Sequence, residues 1–227
     1  MKISVLQPEI IRGDIKHNLK VIQGLIDKSK GDLLVLPEYV LTGSLVFDEQ
    51  ADLDKWANKG RAAKTELEIP KGKQMLMNRL VKINSQLYNC CELLPLGTKQ
   101  CKLFPDQSEL EAGINPGREQ KVFALHDKRF KVIICTDLRY AARIATDNLD
   151  FVFFIFHFTN YNFGDAMQAA KDLSVERKLP VIISSLVSYE NIGFSSYLND
   201  GTVVSLSDSE GILEIEELEG GKIFDGS

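Results

Sequence analysis

The chain has 227 residues and a mass of 25.5 kDa, with 44 % apolar and 26 % charged residues and a formal net charge of −5. That is ordinary globular usage, which excludes a disordered or fibrous chain. The acidic balance offers no electrostatic footprint for DNA or RNA. At this length a fold buries roughly 70 % of its unfolded surface, so no disulfide or metal staple is required.

The four cysteines (Cys90, Cys91, Cys101, Cys135) are too few for a disulfide scaffold, and none sits in a CxxC pair. Cys90, Cys91 and Cys101 have no distinctive surroundings and read as structural. Histidines occur only at positions 17, 126 and 157, so a multi-histidine metal site is not expected. The opening MKISVLQPEI reads as a strand without the apolar core of a leader. The longest obvious apolar run, Phe151 to Phe156, is strand length, so no membrane span is expected. These features point to a cytoplasmic protein.

Ile3 to Leu6 is apolar and β-branched, and Gly13-Asp14 then opens an amphipathic helix. Asp14 can cap it, and Ile15, Leu19, Ile22, Leu25 and Ile26 recur at helical spacing. Gly31 suits a left-handed helix end. Leu33 to Leu36 is an unbroken apolar run of the kind buried on both faces of a layered fold. Helices are expected over Asp48–Lys64 and Lys71–Gln86. Strands follow over Tyr88–Pro95 and Cys101–Phe104, and residues 105–117 read as a loop. Val122–Leu125 and Phe130–Ile134 form a hairpin around residues 126–129. Arg139–Asn148 reads as a helix, Phe151–Phe156 as a buried strand, and Asp165–Lys178 as a helix ended by Pro180. Val181–Val187, Gly193–Tyr197, Thr202–Leu206 and Ile212–Leu218 read as strands. No repeat, linker or low-complexity segment interrupts residues 1–227, so one domain is expected. Alternating β and α elements interrupted by hairpins favour two packed sheets with helices outside, not a doubly wound sheet.

Three strand ends carry reactive groups, where a strand fixes position and a loop gives access. Glu38 follows Leu36-Pro37. Cys135 lies where Val132-Ile133-Ile134 meets a helix, whose N-terminus lowers a thiol pKa and stabilises an oxyanion. Lys99 and Lys102 flank Gln100-Cys101, with Glu109 and Glu111 beyond. Taken singly, each has an ordinary reading: a loop acid, a small buried hydrophobe, surface charge.

Together they resemble the carbon–nitrogen hydrolase (nitrilase) superfamily. The likeness rests on ISVLQPEI, GDIKHNLK, LLVLPEYVLTG and ICTDLRY, with PG at 116–117 and FSSYLNDGTVVSLSDSEGILEIEE towards the end. The resemblance implies an α/β four-layer α-β-β-α sandwich of two mixed sheets, commonly a homodimer. It also implies a Glu-Lys-Cys triad that needs no cofactor or metal. Carried over, Glu38 is the general base and Cys135 the nucleophile. The Thr136 N–H and a lysine hold the oxyanion, and the substrate is a small-molecule amide cleaved through a thioester. The family's lysine position falls on Gln100. Lys102 shares its face in a strand, whereas Lys99 points oppositely unless the strand bulges. Either Lys102 serves, or the lysine is lost and the chain is an impaired binding or assembly subunit. The family's second glutamate matches Glu109 in preference to Glu111. His157, Phe158 and Tyr161 stand where the family lines its pocket. Asp137 and Arg139 read as fixing the elbow beside Cys135.

Overall fold

The computed structural model describes residues 1–46, 48, 50–216 and 223–226. The expected strand to Leu218 therefore runs beyond the described residues at its end. β1 (Ile3–Gln7) leads through α1 (Ile15–Lys28) to β2 (Leu33–Val35), and α2 (Leu53–Lys64) leads on to β3 (Gln74–Ile83). These three strands are parallel. β4 (Gln86–Leu94) and β5 (Thr98–Cys101) continue as an antiparallel meander. α3 (Gln107–Glu111) is a short helix inside the segment expected as loop.

The second sheet takes β6 (Phe123–Leu125), β7 (Lys128–Ile134), β8 (Phe151–Ile155), β9 (Val181–Ser184), β10 (Ser196–Asn199) and β11 (Thr202–Ser205). α4 (Phe163–Arg177) connects β8 to β9. β12 (Gly211–Ile215) returns to pair with β1, and β13 (Ile223–Gly226) lies outside it. The sheet orders are β13-β12-β1-β2-β3-β4-β5 and β11-β10-β9-β8-β7-β6.

Alternation along the strands sorts their side chains into layers. Ile3, Val5, Leu33, Val35, Phe130, Phe151 and Phe153 meet between the sheets. Leu6 and Leu34 turn outward onto Ile22 and Ile26 of α1. Phe154 and Ile183 turn outward onto Ala170 and Leu173 of α4. The result is the expected α-β-β-α sandwich of two mixed sheets.

Asp14 caps α1 as expected, accepting from the His17 N–H at 3.0 Å, and Asp52 caps α2 through the Lys55 N–H at 3.0 Å. α2 therefore begins at Leu53, not Asp48. The helix expected over Lys71–Gln86 is β3 and the start of β4. Met75 and Met77 face the outer apolar layer while Leu76 faces the other sheet, so burial on both sides erased the period of two. The helix expected over Arg139–Asn148 is a 3-10 segment over Cys135–Arg143. Gly31 does not take a left-handed end to α1, which Ser29 closes in extended backbone. A glycine is needed there for another reason: a Cβ would lie 2.5 Å from the Ser4 nitrogen of β1.

Cys90 and Cys101 form a disulfide between β4 and β5, which leaves Cys91 and Cys135 as the free cysteines. Two of the three cysteines read as structural are thus joined in a covalent tie, and Cys91 is a buried free thiol. The hairpin register sets Cys90 directly opposite Cys101, and that register is not visible in the cysteine spacing.

Gly31→Ala must push β1 away from the end of α1. Its unfolding free energy should fall by about 1–3 kcal/mol, read as a lower urea midpoint at unchanged m-value.

Candidate active site

Glu38 follows directly on the buried strand β2. Tyr39, next in the chain, adopts φ +48, a left-handed turn that redirects the backbone and leaves the Glu38 side chain 2 % exposed. Such a burial of charge is tolerable only with partners. Asn89 Nδ2 donates to Glu38 Oε1 at 2.7 Å and to Glu109 Oε1 at 3.0 Å. Tyr39 Oη also donates to Glu109 Oε1, at 2.8 Å.

The strand alternation decides which lysine joins them. Gln100 faces inward, donating to the Val132 carbonyl of β7 across the sheets at 2.8 Å. Lys102, two residues on, faces the same way just past the end of β5. Its N–H still donates to the Asn89 carbonyl at 2.8 Å, so the hairpin pairing carries on through it. Its Nζ lies 2.6 Å from Glu109 Oε2 and 3.4 Å from Glu38 Oε1, and the residue is 1 % exposed. Lys99 points to the opposite face, where it pairs with Glu92 at 3.3 Å. Glu109 is held twice, because it also closes the capping box of α3: its Oε2 accepts from the Asp106 N–H at 3.0 Å. Glu111, two residues on, is exposed.

Cys135 sits at the end of β7 with φ +46, a strained elbow for a residue with a Cβ. Part of the residue remains exposed. The staple between its loop and that of Lys102 comes from two side chains. The Asp137 carboxylate accepts the Leu103 and Phe104 N–H groups at 3.1 and 2.7 Å, and Thr136 Oγ1 donates to the Phe104 carbonyl at 2.7 Å. Gly117 completes the enclosure. Its N–H donates to the Lys102 carbonyl at 2.7 Å, and a Cβ there would lie 2.4 Å from the Cys101 oxygen.

The electrostatics follow from two carboxylates and a thiol sharing one ammonium. Burial, the largest influence on Lys102, works against its charge, but Glu38, Cys135 and Glu109 outweigh it and hold the ammonium above its ordinary pKa. Burial raises Glu109, yet Lys102, Asn89 and Tyr39 pull it below the ordinary carboxylate value. Burial pushes the Asp137 carboxyl up to about 6 in spite of its two N–H donors. Burial also pushes the Cys135 thiol well above its ordinary value; Glu38 and Glu109 add to that and Lys102 opposes it. This corrects the expectation that the helix start lowers the thiol. Proximity to two carboxylates and the loss of water overwhelm the dipole of a short 3-10 segment.

His157, at the end of β8, faces the cluster: its Nε2 donates to the Glu38 carbonyl at 2.7 Å. It also lines a cleft of about 620 Å³ together with Arg12, Ser188, Tyr189 and Glu190. Phe158 does not join it. It packs with Phe156 and Phe163 in the layer under α4, since successive strand residues take opposite faces. Tyr161 is 98 % exposed on the turn before α4 and lines no part of this cleft. Asn89, Tyr39 and Asn78 were not singled out from the sequence. Asn78 accepts from the Tyr39 N–H at 2.8 Å and donates to Asn89 Oδ1 at 2.7 Å. The available signal was an asparagine in the middle of each of two buried strands. Among the described residues no group of histidines, cysteines and carboxylates is arranged to hold a metal ion, and no helix is long and apolar enough to cross a membrane.

No protein-family model matches the sequence, and no curated protein matches it. Solved structures do match in fold. All of this chain superposes on the glutamine-dependent NAD+ synthetase of Acinetobacter baumannii at a TM-score of 0.81 and 19 % identity, covering 48 % of that chain. The chain thus spans about half the length of that synthetase. A double mutant of the amidase from Nesterenkonia sp. AN1, in complex with acrylamide, matches over 94 % of this chain and 89 % of its own at 0.80 and 15 % identity. Saccharomyces cerevisiae Nit3, a nitrilase-superfamily member, matches over 94 % and 88 % at 0.78 and 17 % identity. The chain has the nitrilase-superfamily fold.

Glu109 offers a stability test. Its pKa is lowered on folding, so the stabilisation it supplies is complete above its ordinary value of 4.5 and is lost as the pH falls through the depressed value. Glu109→Gln should cost about 1–3 kcal/mol at pH 7, and urea titrations should show the gap to the parent protein closing in acid below that ordinary value.

Proposed function

We propose that the protein is a hydrolase of carbon–nitrogen bonds in small non-peptide amides, acting through Cys135. The observation that carries this reading is the meeting of Glu38, Lys102 and Cys135 from three distant stretches of chain, with one ammonium set between two carboxylates. The match in fold to a structure of an amidase supports it.

In this mechanism the thiol, held well above its ordinary pKa, is protonated at rest, and Glu38 takes the proton as sulfur attacks the amide carbon. The negative charge that develops on the amide oxygen is met by Lys102 and by the N–H of Thr136. Lys102 suits that role because it keeps its proton: an ammonium already paired with two carboxylates donates hydrogen bonds and does not act as the acid. Glu109, Asn89 and Tyr39 act as positioning residues that hold Lys102 and Glu38. The amine leaves, and water, activated by Glu38, hydrolyses the thioester. Gln100 at the family's lysine position does not weaken this reading. It is spent on a tie between the sheets, and Lys102 occupies the same face one step further on.

The activated ester p-nitrophenyl acetate tests the reading without knowledge of the natural substrate. The protein should release a rapid burst of p-nitrophenolate and carry the acetyl group on the Cys135 peptide by mass spectrometry. Cys135→Ala should abolish the burst, and Lys102→Met should slow acylation by about 10²–10³-fold. An undiminished burst in Cys135→Ala overturns the mechanism.

A further inference from the structure

The Cys90–Cys101 disulfide stands back to back with the Glu38–Lys102 cluster. Cys90 follows Asn89 in β4, and Cys101 precedes Lys102 at the end of β5. Alternation turns Asn89 and Lys102 inward to the two carboxylates and turns both cysteines outward. The Lys102 N–H donates to the Asn89 carbonyl at 2.8 Å, so the disulfide closes the hairpin one residue from that bond. β5 is four residues long and forms an edge of its sheet, paired to β4. The two sulfurs differ in their surroundings. Cys90 is fully buried. Arg79 of β3 lies directly opposite it in the register and therefore on the same face. The Arg79 side chain is 7 % exposed and gives Nη2 to Glu92 at 3.0 Å. Its buried Nε makes no hydrogen bond among the described residues. Cys101 is partly exposed and lines a hollow of about 290 Å³, whose charged groups are Lys99, Arg118, Lys121 and Glu119. An attacking thiolate therefore reaches Cys101 first, drawn by a net positive charge. The sulfur it expels is the one that faces a guanidinium N–H without an acceptor.

We propose that Cys90–Cys101 is a thiol–disulfide exchange site, opened by dithiols from the Cys101 side, and that opening it slows acylation of Cys135. The exchange stands on the hairpin alone; the effect on acylation rests on the hydrolase reading above. One thiolate of the dithiol attacks Cys101 Sγ. The Cys90–Cys101 bond breaks, and its electron pair leaves on Cys90 Sγ as a thiolate, which takes a proton from water. The second thiol of the dithiol then gives up its proton and attacks the reductant's own sulfur in the mixed disulfide. Cys101 leaves as a thiolate and is protonated in turn. The protein gains two electrons and two protons, and the dithiol is oxidised to a disulfide. The guanidinium of Arg79 stabilises the departing sulfur as a thiolate and so speeds its departure. With the bond open, Lys102 is held at a sheet edge by main-chain pairing and by its two carboxylates. It loses the covalent tie to the strand that carries Asn89, so the placement of its ammonium against Glu38 is no longer fixed from behind.

Dithiothreitol applied to the native, disulfide-bonded protein, with an acid quench and alkylation afterwards, tests the exchange. Mass spectrometry should find Cys90 and Cys101 alkylated although no denaturant was present during reduction. Glutathione, a monothiol, quenched during the reaction, should leave its adduct on the Cys101 peptide. Arg79→Met should slow the reduction about tenfold. p-Nitrophenyl acetate, added once the dithiol has been removed by gel filtration, reads the second part. Acylation of Cys135 should be about tenfold slower in the reduced protein and in Cys90→Ser/Cys101→Ser. Reoxidation of the parent should restore it, and dithiol treatment should leave the double variant unchanged. Reduction that requires urea, an adduct on Cys90 in preference to Cys101, or an unchanged rate in Arg79→Met overturns the exchange site. Equal acylation by the oxidised and reduced proteins overturns its control of the cluster. Loss of the cooperative urea transition on reduction also overturns that control, since the bond would then serve folding alone. The absence of a burst in the oxidised parent instead removes the hydrolase reading and leaves the exchange result standing.

Discussion

A single buried ammonium organises the centre of this molecule. Lys102 lies 2.6 Å from Glu109 and 3.4 Å from Glu38, with all three side chains almost wholly removed from water. Burying three charges costs several kcal/mol per ion unless each finds partners. The fold supplies them through neutral donors: Asn89 bridges both carboxylates, Tyr39 adds a hydroxyl to Glu109, and Asn78 holds Asn89 in turn. The cluster keeps a surplus of negative charge: with two carboxylates to one cation, the thiol beside them resists ionisation.

The staples around the cluster share a purpose. Asp137 and Thr136, directly after Cys135, grip residues 103 and 104 directly after Lys102. The Cys135 elbow and the strand end at Lys102 are therefore tied by side chains after the one that hydrogen-bond to the backbone after the other. Gly117 allows a third chain segment to approach the Cys101 and Lys102 carbonyls closely. On the opposite face of the same hairpin, the Cys90–Cys101 disulfide and the Lys99–Glu92 ion pair hold β5 to β4, and Glu92 also pairs with Arg79 of β3 and Lys64 of α2. The two faces thus divide the work, one bearing the reactive groups and the other bracing them.

Several of these features were readable in the chain. Leu36-Pro37-Glu38 and Ile134-Cys135-Thr136-Asp137 stand out because a reactive group ends a run of buried apolar residues. The resemblance placed the lysine position at Gln100, and the period of two in a strand then preferred Lys102, which shares that face, over Lys99. Asn89 and Asn78 were missed because an asparagine within a strand has many ordinary uses, and β3 itself was read as a helix. His157, Phe158 and Tyr161 were taken together as a pocket, yet they separate into a site residue, a core residue and an exposed one.

Local order in the chain was sufficient for whatever depends on neighbours: the Asp14 cap, the buried strands, the sandwich class, and the placement of an acid and a thiol at strand ends. It was insufficient for the disulfide, the second-face ion pairs, the direction of the Cys135 pKa and the hold of Asn89 on two carboxylates. Those depend on which residues meet across sheets and hairpins, and on how much water is left between them. Strand register and the sum of nearby charges are properties of segments far apart in the chain, so no window along it contains them.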